Sequence, residues 1–148
     1  MRSILLLASF SAAALAVTST EANSATCVTS SASSTDTATW TIDYALVDAP
    51  VTGTGYDIEP SFVAAYGFNN TMQLSITHDS NATDYASFKC QFACNGNQGC
   101  VAFFGRFVNV NTDEENYECL SFKTLLDESS FTTSTSNMAV GGFNKLCS

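Results

Sequence analysis

Six cysteines, at positions 27, 90, 94, 100, 119 and 147, constrain this chain more than any other feature. Their spacing is C-x62-C-x3-C-x5-C-x18-C-x27-C. It contains no C-x2-C pair of the kind that opens a zinc ribbon or finger. His78 is the single histidine and lies outside the cysteine cluster. An even set in an oxidising compartment reads as three disulfides, which leaves no thiol for nucleophilic chemistry. No metal and no cofactor are expected.

The N-terminus supplies the oxidising compartment. Arg2 is a short positive segment, and Ile4 to Val17 is an uncharged run rich in Leu and Ala. That run is shorter than the roughly 20 residues a membrane-spanning helix needs. Ala14-Leu15-Ala16 has the small-x-small form of a signal-peptidase site. Residues 1–16 therefore read as a signal peptide, with later cleavage after Ala22 or Ala25 as alternatives. The chain is expected to be secreted and extracellular, with no membrane anchor. Residues 17–39 form a Ser/Thr-rich leader anchored by Cys27, and residues 40–148 form one domain. Acids outnumber bases 14 to 5, a formal charge of −9. Nucleic acid and anionic membrane surfaces are excluded as partners, because both are met by Lys and Arg. Hydrophobic residues make up 45% of the chain, enough for a packed core.

Along the domain, Trp40, Ile42 and Tyr44 alternate with polar residues, as do Met72, Leu74 and Ile76, the pattern of half-buried strands. Pro50, Gly53 and Gly55 mark a loop. Ser61 to Phe68 is apolar and reads as a strand. Cys100 to Val110 reads as a central strand covered on both faces, and Tyr117 to Lys123 as its neighbour. A last strand is expected from Phe131 to Val140, with Gly141-Gly142 as a turn. A single helix is expected from about Ala82 to Cys94, capped by Asp79 or Ser80. Ala86, Cys90, Ala93 and Cys94 share one of its faces. Tyr85, Phe88 and Phe92 form a stripe read as further core.

Residues 90 and 94 of a helix have Cβ atoms about 5–6 Å apart, against about 3.8 Å in a disulfide. They are therefore not expected to bond each other. Six cysteines allow 15 connectivities. Helix geometry favours a nested set, Cys94 with Cys100, Cys90 with Cys119 and Cys27 with Cys147, and leaves the others open.

The segment Cys90-x3-Cys94-x5-Cys100-Val101-Ala102-Phe103, followed by Cys119-Leu120-Ser121-Phe122, resembles the core of a PAN/Apple domain. Gly141-Gly142-Phe143-Asn144-Lys145 is similar to the tail of small secreted PAN-like proteins from fungi and related microbes. The resemblance implies the same nested pairing. It also implies a module for protein–protein or protein–carbohydrate contact, here an extracellular protein or a cell-wall or host carbohydrate.

Catalytic patterns are missing from the sequence. There is no Gly-x-Ser-x-Gly elbow to serve His78, no P-loop and no G-x-G-x-x-G. A hydrolase would need one of its paired carboxylates in an apolar pocket, whereas the acids fall in predicted loops. Asn109 to Glu115 has the alternating oxygens of a calcium loop but lacks its central glycine, and Leu120 stands where a bidentate Glu belongs. It reads as a solvated hairpin tip. Asn69-Asn70-Thr71 and Asn81-Ala82-Thr83 are N-glycosylation sequons.

These signals converge on an α+β fold: one helix packed on a curved antiparallel sheet of about five strands, with three nested disulfides. The expected function is a secreted binding module. The alternatives are a structural protein, adhesin or effector without a small ligand, and then a secreted hydrolase. Tyr56, Tyr66 and Tyr117 are candidate contacts if the core leaves them free.

Overall fold

The computed structural model describes residues 25–33 and 39–148. The signal peptide expected over 1–16, and stretches 17–24 and 34–38 of the leader, lie outside the described residues.

Among the described residues, seven strands and two α-helices are arranged as β1 (Tyr44–Leu46), β2 (Tyr56–Ile58), α1 (Pro60–Tyr66), β3 (Met72–Leu74), α2 (Thr83–Gly96), β4 (Ala102–Val108), β5 (Asn116–Phe122), β6 (Phe131–Thr133) and β7 (Met138–Lys145). A 3-10 turn, Glu128–Ser130, precedes β6. The main sheet has five strands in the order β1-β7-β4-β5-β3, and β2 pairs with β6 as a separate ribbon. All of these strand pairs are antiparallel. Near the chain ends, Val28 makes an isolated parallel bridge to Leu146.

The central strand β4 is covered on both faces, as its unbroken apolar run predicts. On one face Phe103 and Phe107 pack with Tyr44, Tyr117 and Phe143, against Ala86, Cys90 and Cys94 of α2. On the other, Ala102 and Phe104 pack with Leu120 and Phe122, against Tyr56, Ile58 and Phe131 of the ribbon and Phe62 and Val63 of α1. Alternation along β5 sends Tyr117 and Cys119 to the first core and Leu120 and Phe122 to the second.

Three cysteine pairs lie at disulfide distance. Cys27 and Cys147 have Cα atoms 5.0 Å apart, Cys90 and Cys119 5.6 Å, and Cys94 and Cys100 5.3 Å.

Several sequence expectations are corrected. Ser61–Phe68 is helical for most of its length, not a strand. Pro60 occupies the start of α1, where its fixed φ and missing N–H suit a helix, and Phe62, Val63 and Tyr66 share a side. A short apolar run does not distinguish strand from helix by itself. The single helix expected is thus one of two among the described residues. Asp79 and Ser80 do not cap α2. Its N-cap is Ala82, with no side-chain cap, and Ser80 instead turns back on Thr77, its hydroxyl donating to the Thr77 carbonyl at 2.6 Å. The strand expected over Phe131–Val140 is two strands, β6 and β7. Gly141-Gly142 is not a turn, because β7 runs through it to Lys145. The register slips beside it, between Gly105 and Arg106 of β4. A Cβ on Gly142 would come within 2.8 Å of Phe131 Cζ and 2.9 Å of Leu126 Cδ1, so the glycine serves close packing of the ribbon on the sheet.

Candidate functional site

The outer face of α2 is the most distinctive surface. Successive helical residues step by about 100°. The buried residues Ala86, Ser87, Cys90, Gln91 and Cys94 centre on one direction. Tyr85, Phe88 and Phe92 centre on the opposite one. The stripe read as core therefore faces away from the sheet: Phe92 is 56% exposed, and Tyr85 and Phe88 are half-buried.

Trp40 extends this row. Its ring centroid lies 5.0 Å from Tyr85 and 5.1 Å from Phe88, and Phe88 lies 4.8 Å from Phe92. Trp40 remains 38% exposed. Trp40 precedes rather than belongs to β1. The alternation expected there does hold from Thr41 to Tyr44, with Ile42 and Tyr44 buried and Thr41 and Asp43 exposed. The Lys89 ammonium sits 5.9 Å from the Tyr85 ring centroid, within cation–π range.

Buried Gln91 ties the segment just after Trp40 to the helix. Its side-chain oxygen accepts from the Asp43 N–H at 2.8 Å, and its amide donates to the Thr41 carbonyl at 3.1 Å. Tyr44 adds a third tie, its hydroxyl donating to Asn95 Oδ1 at 2.8 Å. Burial pushes that phenol up to about 12. The helix itself is held to the sheet by two of the cysteine pairs, through Cys90 and Cys94. The aromatic row thus stands on a rigid base. Beyond Phe92 it runs into a groove of about 300 Å³ bordered by Asn70, Thr71 and Asn97, where Asn70 Nδ2 donates to Asn97 Oδ1 at 3.1 Å.

Of the tyrosines proposed from sequence, Tyr117 is fully buried and Tyr56 nearly so. Neither is available for contact. Tyr117 packs on Phe107, its hydroxyl shares a 3.1 Å hydrogen bond with Ser87, and burial raises its pKa. Tyr66 is 45% exposed and packs on Phe62, away from the α2 row. Asn69 and Asn81, the sequon asparagines, are both exposed.

His78 holds the acidic hairpin. Its backbone N–H and ring Nδ1 both meet Glu115 Oε1, the ring at 2.9 Å. The Asn111 N–H donates to the other Glu115 oxygen at 2.8 Å. Burial by itself would raise the Glu115 carboxyl. The hydrogen bonds from Asn111 and His78, with the His78 charge, outweigh it and hold the group below its ordinary value. The hairpin tip turns on Asn109 and Asn111, both at positive φ, a conformation asparagine tolerates. Among the described residues, no group of three or more His, Cys, Asp or Glu is placed to hold a metal ion. Asp57 and Glu118 converge on one cation, Arg106, which pairs with Asp57 through Nη1 and with Glu118 through Nη2 at 2.8 Å. Asn137 Nδ2 also donates to Asp57.

Sequence reasoning found the aromatic stripe but put it on the wrong side of the helix. The signal that separates the two readings is angular. Tyr85, Phe88 and Phe92 lie about half a turn from Ala86, Cys90 and Cys94, so one flat sheet cannot cover both. No family model matches the chain, and neither a curated protein nor a solved structure matches it.

Proposed function

We propose that this chain is a secreted recognition module of the PAN/Apple type, its bridges in concentric order on a curved sheet, which binds carbohydrate through the outer face of α2. The observation that carries this reading is the row Trp40, Tyr85, Phe88 and Phe92 on the side of α2 turned away from the sheet. Aromatic faces stack on the apolar C–H faces of sugars, and Trp40 and Phe92 keep 38% and 56% of their surface exposed. The flanking amides of Asn70 and Asn97 and the Lys89 ammonium supply hydrogen-bond partners for hydroxyls. An aromatic surface edged by a few polar groups is a common recognition chemistry. Glycans on Asn69 and Asn81 belong to the same secreted reading.

The test is retention on insoluble wall polysaccharide and on a glycan array. Phe92→Ala should reduce retention at least tenfold while leaving the thermal transition close to that of the parent, since that side chain is 56% exposed. Trp40→Ala, which also removes ring packing on Tyr85 and Phe88, should reduce retention as much when assayed well below its own lowered transition. Failure of the parent protein to bind any glycan, or binding unaffected by both substitutions, would overturn the reading. Self-association in ultracentrifugation that the same substitutions abolish would move the row to the structural or adhesin alternative.

A further inference from the structure

A second feature is independent of the aromatic row. Where the Cys27 segment meets residues 145–148 lies a cleft of about 570 Å³, bordered by the Cys27 and Cys147 pair, Gly99, Val101, Lys123, Lys145 and Ser148. Such a volume is in the range of small-molecule sites. Strand register explains why two lysines meet there. Ala102 pairs with Phe122 on one side and with Asn144 on the other. One residue back, Val101 faces Phe122 on one side and Lys145 on the other, while Lys123, the residue just past β5, turns its own N–H to the Tyr66 carbonyl at 3.0 Å. The Val101 N–H donates to the Phe122 carbonyl, and the Val101 carbonyl accepts from the Lys145 N–H at 2.8 Å. Lys123, just past the end of β5, and Lys145, at the end of β7, both border the cleft beside Val101, about two strand spacings, or 10 Å, apart. Their four-carbon stems can converge or diverge over that span.

Charge makes the pair unusual. The chain has five basic residues against fourteen acidic ones. Arg106 is neutralised by Asp57 and Glu118, and Lys89 lies on the aromatic row. Among the described residues, Lys123 and Lys145 take part in no ion pair. No Asp or Glu side chain lines the cleft, and the α-carboxylate of Ser148, which also borders it, is paired with neither lysine. The Lys123 ammonium is held 5.2 Å from the Phe68 ring centroid, which limits its wandering without neutralising it. At physiological salt the Debye length is about 8 Å. The local pair, rather than the overall negative charge, therefore governs a ligand inside the cleft.

We propose that this cleft binds a small polyvalent oxyanion, with Lys123 and Lys145 gripping separate anionic groups of one molecule. The test uses the full secreted chain with lysines reductively methylated with ¹³C, which keeps their charge and gives separate signals for Lys89, Lys123 and Lys145. Tripolyphosphate and citrate are the probes, so the tighter one assigns the site to phosphate or to carboxylate chemistry. The Lys123 and Lys145 signals should shift and saturate together while Lys89 stays in place. Lys123→Gln and Lys145→Gln should each weaken binding about tenfold, with an unchanged thermal transition. The proposal is overturned if neither probe gives a saturable shift, if Lys89 moves in parallel, or if both substitutions leave the titration as it was.

Discussion

The stability of this fold should depend most on its most exposed bridge. Consider replacing Cys27 and Cys147 together by serine. Cys147 is exposed and Cys27 half-buried, so the substitution removes little packing and buries no hydroxyl. What it removes is a constraint on the unfolded chain. The two cysteines are 120 residues apart in sequence, and closing a loop of that size is worth about 5 kcal/mol in the chain-entropy model. The Cys90 and Cys119 pair, 29 apart, is worth roughly 3.5 kcal/mol on the same scale. The Cys94 and Cys100 pair, 6 apart, is worth roughly 2 kcal/mol. Domains of this size have total stabilities of about 5–15 kcal/mol, so the fully reduced chain should be unfolded or molten. In the double serine variant the native state also loses little hydrogen bonding, provided the Val28 and Cys147 backbone contact at 3.0 Å persists. Equilibrium urea unfolding, followed by circular dichroism and by the fluorescence of the single tryptophan, should show a loss of about 3–5 kcal/mol. The m-value should rise, because the released chain exposes more surface. A loss below about 1 kcal/mol would refute the loop-closure argument. Mild reduction followed by alkylation and mass mapping should label Cys27 and Cys147 first, since the other four cysteines are at most 4% exposed.

Two further outcomes follow from the core and from its ionisable groups. A Cβ on Gly105 would land on the Tyr117 hydroxyl, so Gly105→Ala should cost about 3 kcal/mol by overpacking. Adding Tyr117→Phe, which removes that hydroxyl, should recover part of the loss, and strictly additive thermal shifts would contradict the contact. The pH profile of stability should fall at both ends. Glu115 is held below its ordinary value in the fold, so its contribution is present above the unfolded carboxylate pKa and is lost as pH falls through the folded one. Tyr44, raised to about 12, and Tyr117, raised further by burial, favour the neutral phenol. Their contribution is full below the ordinary tyrosine pKa of 10.0 and declines as pH rises from there towards the folded values. Thermal midpoints measured across pH should show both limbs, and Glu115→Gln should flatten the acidic one.

Local chemistry was legible in the chain. The alternation of Met72 and Leu74 and the unbroken apolar run after Cys100 mark β3 and β4, because a strand's burial is written at period two or as a continuous run. The helical spacing of Ala86, Cys90, Ala93 and Cys94, with Gly96 at its end, marks α2. Helix geometry set aside one cysteine pair, because positions 90 and 94 face alike and so reach different partners; which partners they reach is shown by the structure.

What the chain could not reveal by itself was which surfaces are covered. Tyr56 and Tyr117 are as aromatic as Trp40 and Phe92, yet the first two are enclosed by a ribbon and a helix and the last two face outward. The apolar run Ser61–Phe68 suits a strand as well as a helix; Pro60 ahead of it is the sequence signal for α1, and only the packing of Phe62 on Phe122 shows which side of it is covered. Lys123 and Lys145 are 22 positions apart and become neighbours only because β4 lies between β5 and β7. Periodicity records which residues share a side. Only the assembled layers determine what lies opposite that side, because burial and proximity are properties of partners distant in sequence.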